Sequence, residues 1–185
     1  QDVYGTAVST TVNNGGTQLL QMTGTLSKNV LAGGTQYIEA GASLTADASG
    51  ATTLTTQAAV ISNGTQIISG SNGSNGTATG FILSGTGTTS GVQIVQSYGV
   101  AVSTEIDAGG TQVISAYGTA VSAQVNNDGV QKIESSGVAS NTEINNSGTQ
   151  VISAYGTAVS AQVNNGGVQK IESSGVASNT EINNS

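Results

Sequence analysis

Between residues 110 and 185 the hydrophobic and polar positions keep a fixed rhythm. A Gln is followed two places later by an Ile, and the pair returns every nineteen residues: Gln112 with Ile114, Gln131 with Ile133, Gln150 with Ile152, Gln169 with Ile171. The position between them varies freely, Val113 and Val151 against Lys132 and Lys170. A constant aliphatic beside a variable neighbour is what a strand with one buried and one wet face leaves in a sequence. The pair recurs upstream at Gln18/Leu20, Gln36/Ile38, Gln66/Ile68 and Gln93/Val95, the Gln positions being 18, 30 and 27 residues apart. Residues 110–147 and 148–185 are one string written twice, different only at Asp128 and Gly166.

Each nineteen-residue unit is expected to hold two strands. In residues 118–136 the first spans 119–125, with Val121, Ala123 and Val125 on the inner side and Ala120, Ser122 and Gln124 on the outer. Asn126-Asn127-Asp128-Gly129 follows as a turn, because Asn and Gly tolerate positive φ. The second strand spans 130–134, with Ile133 inside. A helical reading fails, since Gly or Asn interrupts every six or seven residues and β-branched residues dominate the rest. An inner face this small is not buried alone, so successive units must stack. The expected architecture is all-β: a parallel β-helix of coils about 4.8 Å apart.

That solenoid is read as a single segment over residues 1–185, part of a longer array because both ends fall inside a repeat. Its coils are regular over 1–40, irregular with loop insertions over 41–98, and strict over 99–185. The runs GASLTADASGATTLTT, SGSNGSNG and SGTGTTSG read as loops protruding between coils. By parity each Gln points inward, where amides stacked coil on coil would bond as a ladder. The Asn pairs at 13/14, 126/127, 145/146, 164/165 and 183/184 suggest a second ladder at the turn. Outer charges follow a 38-residue period instead: Glu105, Glu143 and Glu181 alternate with Gln124 and Gln162. In a stack this holds like charges about 9–10 Å apart, which matters only if adjacent coils touch.

Composition narrows the chemistry. The net charge is −7 with only three cations, so there is no basic patch for nucleic acid or for an anionic membrane surface. Without Cys or His there is no thiolate or imidazole site, and no metal or cofactor is expected. Glu105 and Asp107 share a strand face, but Asp107 is not repeated. With no Arg or His to serve as clamp or base, the chain is not expected to be an enzyme. Tyr4, Tyr98, Tyr117 and Tyr155 each precede a Gly and occupy one corner, as either an aromatic platform or a corner plug.

The unit G-[TV]-A-V-S-x-x-[VI]-N-N-x-G-[TV]-Q-x-[ILV] resembles the passenger repeats of AIDA-type self-associating autotransporter adhesins, most strongly over residues 5–40 and 99–185. The resemblance implies a right-handed parallel β-helix shown outside a Gram-negative cell by a C-terminal translocator barrel, which would be its only membrane attachment. It implies autoaggregation, biofilm formation and attachment to a host-cell receptor that the sequence does not identify. It also implies O-linked heptose on passenger serines, added by a dedicated cytoplasmic heptosyltransferase. Candidate acceptors form outward rows: Ser9, Ser27, Ser103, Ser122 and Ser160 in one register; Ser115 and Ser153 in another; Ser135, Ser136, Ser173 and Ser174 at a corner. The rival reading is a curlin-like functional amyloid or structural surface-fibre subunit, which also repeats Gln and Asn in strand–turn units.

Overall fold

The structure, a computed structural model, describes residues 1–4, 6–8, 10–13, 15–21, 25–27, 30–38, 43–45, 60–72 and 74–183. Its strands pair in parallel, each with its counterpart in the next unit. One coil gives the plan. Gly91–Val95 carries Gln93, Val100–Val102 carries Ala101, Glu105–Ile106 completes the turn, and Gly110–Ile114 opens the next coil. Gln93 pairs with Gln112, Ala101 with Ala120, and Glu105 with Gln124. Each coil therefore has three faces, here called the Gln, Ala and Glu faces, separated by three corners. The expected all-β parallel solenoid stands.

The expected number of strands per unit does not. The stretch read as one strand over 119–125 is two, Thr119–Val121 and Gln124–Val125. Ser122 separates them with a left-handed φ of 54°. A single residue in that region turns the chain and resets the alternation of faces. Ala120 consequently points inward, 1% exposed, and Val121 turns out, the reverse of the period-two expectation. Beyond the corner, Ala123 and Val125 are buried as expected.

The interior is a set of columns. Leu20, Ile38, Ile68, Val95, Ile114, Ile133 and Ile152 from the Gln face are all fully buried. Ala78, Ala101, Ala120, Ala139 and Ala158 form the Ala-face column, and Leu83, Ile106, Val125, Ile144 and Val163 the third. Each coil shelters only a few side chains, so apolar burial accumulates by stacking, with each column extended by the coil above and below. The backbone packs closely at two corners, one at Gly129, Gly148 and Gly167 and the other at Gly118, Gly137 and Gly156. A Cβ on Gly137 would overlap the carbonyl oxygen of Ile114 in the preceding coil, and Gly118 and Gly156 meet Val95 and Ile133 in the same way.

Two of the expected insertions sit at corners. The SGSNGSNG run holds a small antiparallel bridge, Ser71 and Ser74 exchanging backbone bonds of 2.8 and 2.9 Å. In SGTGTTSG, Thr86 and Thr89 close a local turn, with the Thr89 Oγ1 donating to the Thr86 carbonyl at 2.9 Å. Gly91 beyond it still pairs with Gly64 before and Gly110 after. The third expected insertion lies largely outside the described residues. The outer charges align as the sequence predicts, Glu105, Gln124, Glu143, Gln162 and Glu181 pairing in succession.

Candidate functional surface

What faces inward is structural. The Gln amides form the expected ladder, each Nε2 donating to the Oε1 of the Gln one coil back, from Gln36→Gln18 to Gln169→Gln150, at 2.6–2.9 Å. The repeat spacing starts this column at Gln18, yet Asp2 pairs with Leu19, and Gln18 donates to Gln1 at 3.3 Å. Gln1 is therefore a further rung, and its aliphatic partner two places on is Val3. On alternate coils Thr104, Thr142 and Thr180 donate their hydroxyls to the ladder oxygens of Gln93, Gln131 and Gln169. The buried oxygens of Gln93 and Gln131 thereby gain a second donor, an arrangement the one-strand parity had hidden.

The Asn ladder is real at the pairs 126/127, 145/146, 164/165 and 183/184, where it runs through the first Asn. Asn145 donates to Asn126, Asn164 to Asn145 and Asn183 to Asn164, at 3.0–3.2 Å. The second members Asn127, Asn146 and Asn165 instead take left-handed φ of 45–49°. Asn14, proposed for the same ladder, lies outside the described residues.

The outward chemistry gathers at two corners. At the corner between the Gln and Ala faces, two successive left-handed residues turn the chain: Ser97-Tyr98, Ala116-Tyr117, Ser135-Ser136 and Ala154-Tyr155. The tyrosines do not plug the interior. Tyr98, Tyr117 and Tyr155 are 39%, 60% and 73% exposed. Tyr98 and Tyr117, on adjacent coils, stack with ring centroids 5.5 Å apart and planes 12° from parallel.

The corner between the Ala and Glu faces is a column of left-handed residues: Gly80, Ser103, Ser122, Asn141, Ser160 and Asn179. From Gly80 to Ser160 each N–H is taken up by a carbonyl of the next coil, such as Ser103 on Val121 and Ser122 on Ser140, both at 2.9 Å. A shallow groove of about 350 Å³ runs beside it, with Ser103, Ser122 and Asn141 on one side and Glu105, Gln124 and Glu143 on the other. Partial burial pushes the Glu105 carboxyl above its ordinary range, and the negative charge of Asp107 adds to the shift.

The candidate serines divide accordingly. Ser103, Ser122 and Ser160 share the Ala–Glu corner, while Ser135, Ser136, Ser173 and Ser174 share the Tyr corner. Ser115 and Ser153 end the Gln face, partly exposed. Ser27 pairs with Val8, one place before Ser9, so it falls outside the register assigned to it. Ser9 lies outside the described residues.

The chain thus combines a parallel solenoid, a ladder-filled interior and hydroxyl-rich corners. Residues 130–185 match the family described as adhesin of bacterial autotransporter system, probable stalk, with the short name AIDA. Over nearly its whole length the chain is also similar to a solved TibA fragment, described as hyper-glycosylated by TibC catalysis. That likeness has a TM-score of 0.69 at 25% identity, covering 99% of this chain and 81% of the other. Comparison with curated proteins gives no match. The repeat pattern, the family match over residues 130–185 and the fold thus make the chain similar to AIDA-type, TibA-like adhesin passengers.

Proposed function

We propose that this chain is a cell-surface passenger segment that mediates autoaggregation and attachment, and that its outward serines receive O-linked heptose. The observation that carries this reading is the Ala–Glu corner. Ser103, Ser122 and Ser160 recur there at fixed height along a rigid stack, each on a left-handed bend that lifts it from the sheet. A row of identical, separately presented hydroxyls suits an enzyme that modifies many sites on one protein. The TibC-modified state of the similar TibA fragment supports it. Sugars on these rows would supply the solvation that a chain with only 7% charged residues lacks.

Unmodified faces would bind by many weak polar contacts, with strength drawn from multivalency along the rod. Display outside the cell by a translocator barrel, biofilm formation and engagement of a host receptor follow from that role. Intact mass spectrometry of the chain co-produced with a heptosyltransferase tests the modification. Mass increments of one heptose each, mapping to the named corner serines, are expected. An unmodified mass, or sugars confined to other residues, refutes the assignment.

The rival amyloid reading is opposed by the register shifts between Leu31, Ala32 and Thr35 where Val30–Ile38 pairs with Val60–Ile68. Identical chains stacking in a fibre need uninterrupted register. Thioflavin-negative, soluble protein is expected; pelleting with dye binding would favour the fibre.

A further inference from the structure

We infer that the Tyr corner is a self-complementary aromatic zipper between two antiparallel copies of this chain. The inference rests on the rod-to-rod association proposed above and names its contact. Going up the corner, the residues are Tyr98, Tyr117, Ser136, Tyr155 and Ser174. Tyr117, Ser136 and Tyr155 have nearly the same φ, 66°, 66° and 65°, so their side chains leave the backbone in the same direction. Where two tyrosines occupy adjacent coils, as Tyr98 and Tyr117 do, the rings stack 5.5 Å apart. Ser136 leaves that place empty between Tyr117 and Tyr155. Two coil spacings separate those rings, about 9–10 Å. One inserted ring would lie about 5 Å from each, within the range in which aromatic rings attract.

The ring that fits is supplied by a second copy. Reverse one rod and slide it until its Tyr155 enters the slot over Ser136. The two-fold symmetry then places the first rod's Tyr155 in the second rod's slot, and each Tyr117 at the level of the partner's Ser174. The contact is isologous and closes on itself. The charges agree with this offset. Lys132 and Glu134 lie on the slot coil, whereas the Tyr155 coil carries Val151 and Ser153 at those columns. Each charged coil therefore faces an uncharged one, so like charges do not meet. The partner's Tyr155 phenol approaches the Glu134 coil, where its O–H has a carboxylate to donate to. Both rings are now mostly exposed to solvent, and the insertion covers them.

Sedimentation equilibrium of the 185-residue chain over a range of concentrations tests this, with folding of each variant checked by circular dichroism. The wild type is expected to dimerise, and Tyr155→Ser to weaken the dimer at least tenfold. Ser136→Tyr is the sharper variant. It fills the slot from within by extending the Tyr98–Tyr117 stack, so it should also abolish the dimer although it adds an aromatic residue. Wild-type association that survives both variants overturns the zipper and leaves rod-to-rod association standing. Stronger association of Ser136→Tyr overturns it too. A monomeric wild type at all concentrations sinks both proposals. If Tyr155→Ser sediments as wild type but loses retention on an immobilised polysaccharide, the slot belongs to a sugar ring and the zipper is wrong.

Discussion

The coils before residue 99 and those after it solve the same packing problem under different discipline. After residue 99 every unit is nineteen residues long and every corner is minimal. Before it, neighbouring ladder residues stand 30 residues apart at Gln36 and Gln66, and 27 apart at Gln66 and Gln93, where the surplus of the second gap sits at the Ser71–Ser74 bridge and the Thr86–Thr89 turn. Yet the ladder bonds across these gaps are 2.8 and 2.7 Å, within the 2.6–2.8 Å of the strict region. Coil length is thus a weak constraint, while the order of inward side chains within each strand is a hard one. The physical reason is that a corner loop adds chain in water at small entropic cost, whereas a slip of one residue in a strand exchanges its buried and wet faces.

That contrast is open to direct tests. Deleting Lys132 shortens one Gln strand and swings either Gln131 or Ile133 away from its column. The coils on either side should lose protection in hydrogen exchange, and the melting transition should break into parts. Gly137→Ala comes next, since its methyl meets the Ile114 carbonyl and neither backbone has room to move. A loss on the order of 1–3 kcal/mol is expected in chemical denaturation. Gln131→Leu keeps the shape but strands the Gln150 amide that donates to it and the Thr142 hydroxyl. Each stranded group costs ~1–3 kcal/mol, and the effect should be localised to those coils in hydrogen exchange.

Copying the segment of residues 70–75 into the corner between Ser135 and Ser136 should do less than any of these three changes. The melting temperature is expected to fall by only a few degrees, because loop closure costs grow slowly with length, about 0.6 kcal/mol per doubling. A large loss would show that the strict coils depend on their short corners.

The smallest effect concerns Glu105, whose carboxyl is raised by burial first and by Asp107 second. A raised folded-state pKa means that the folded chain binds this proton more tightly than the unfolded one. The charged form therefore weakens the fold above the folded pKa, and the penalty disappears as pH falls below the ordinary glutamate value near 4.3. Glu105→Gln, which copies Gln124 and Gln162 in the same column, should melt slightly higher than wild type at pH 7 and equal to it below pH 4. A difference that persists in acid would contradict the assigned cause.

Much of this molecule was written plainly in its residues. The Gln–aliphatic spacing dictated parallel stacking, the inward ladder and the invariant column from Leu20 to Ile152, because a residue repeated at one height has only its own copy to meet. The alternation of Glu with Gln announced the contact between coils for the same reason. The third face was not legible. Thr119–Val121 and Gln124–Val125 read as one alternating strand, and only the left-handed bend at Ser122 splits them and turns Ala120 inward. A signal was present, since the same column holds Gly80 and Asn141, residues that tolerate positive φ. Ser itself gives no such warning.

Sequence alone settled what repeats, how often, and which side chains share a column. Only the folded chain decided which columns are joined to one another. The Thr104, Thr142 and Thr180 hydroxyls on the ladder, Gln1 as a rung, and the Tyr98–Tyr117 stack beside an open place at Ser136 all depend on where a corner bends. Backbone torsion at one residue fixes that bend. A periodic pattern of side chains records the height of each residue along the axis but not the direction in which the chain turns around it.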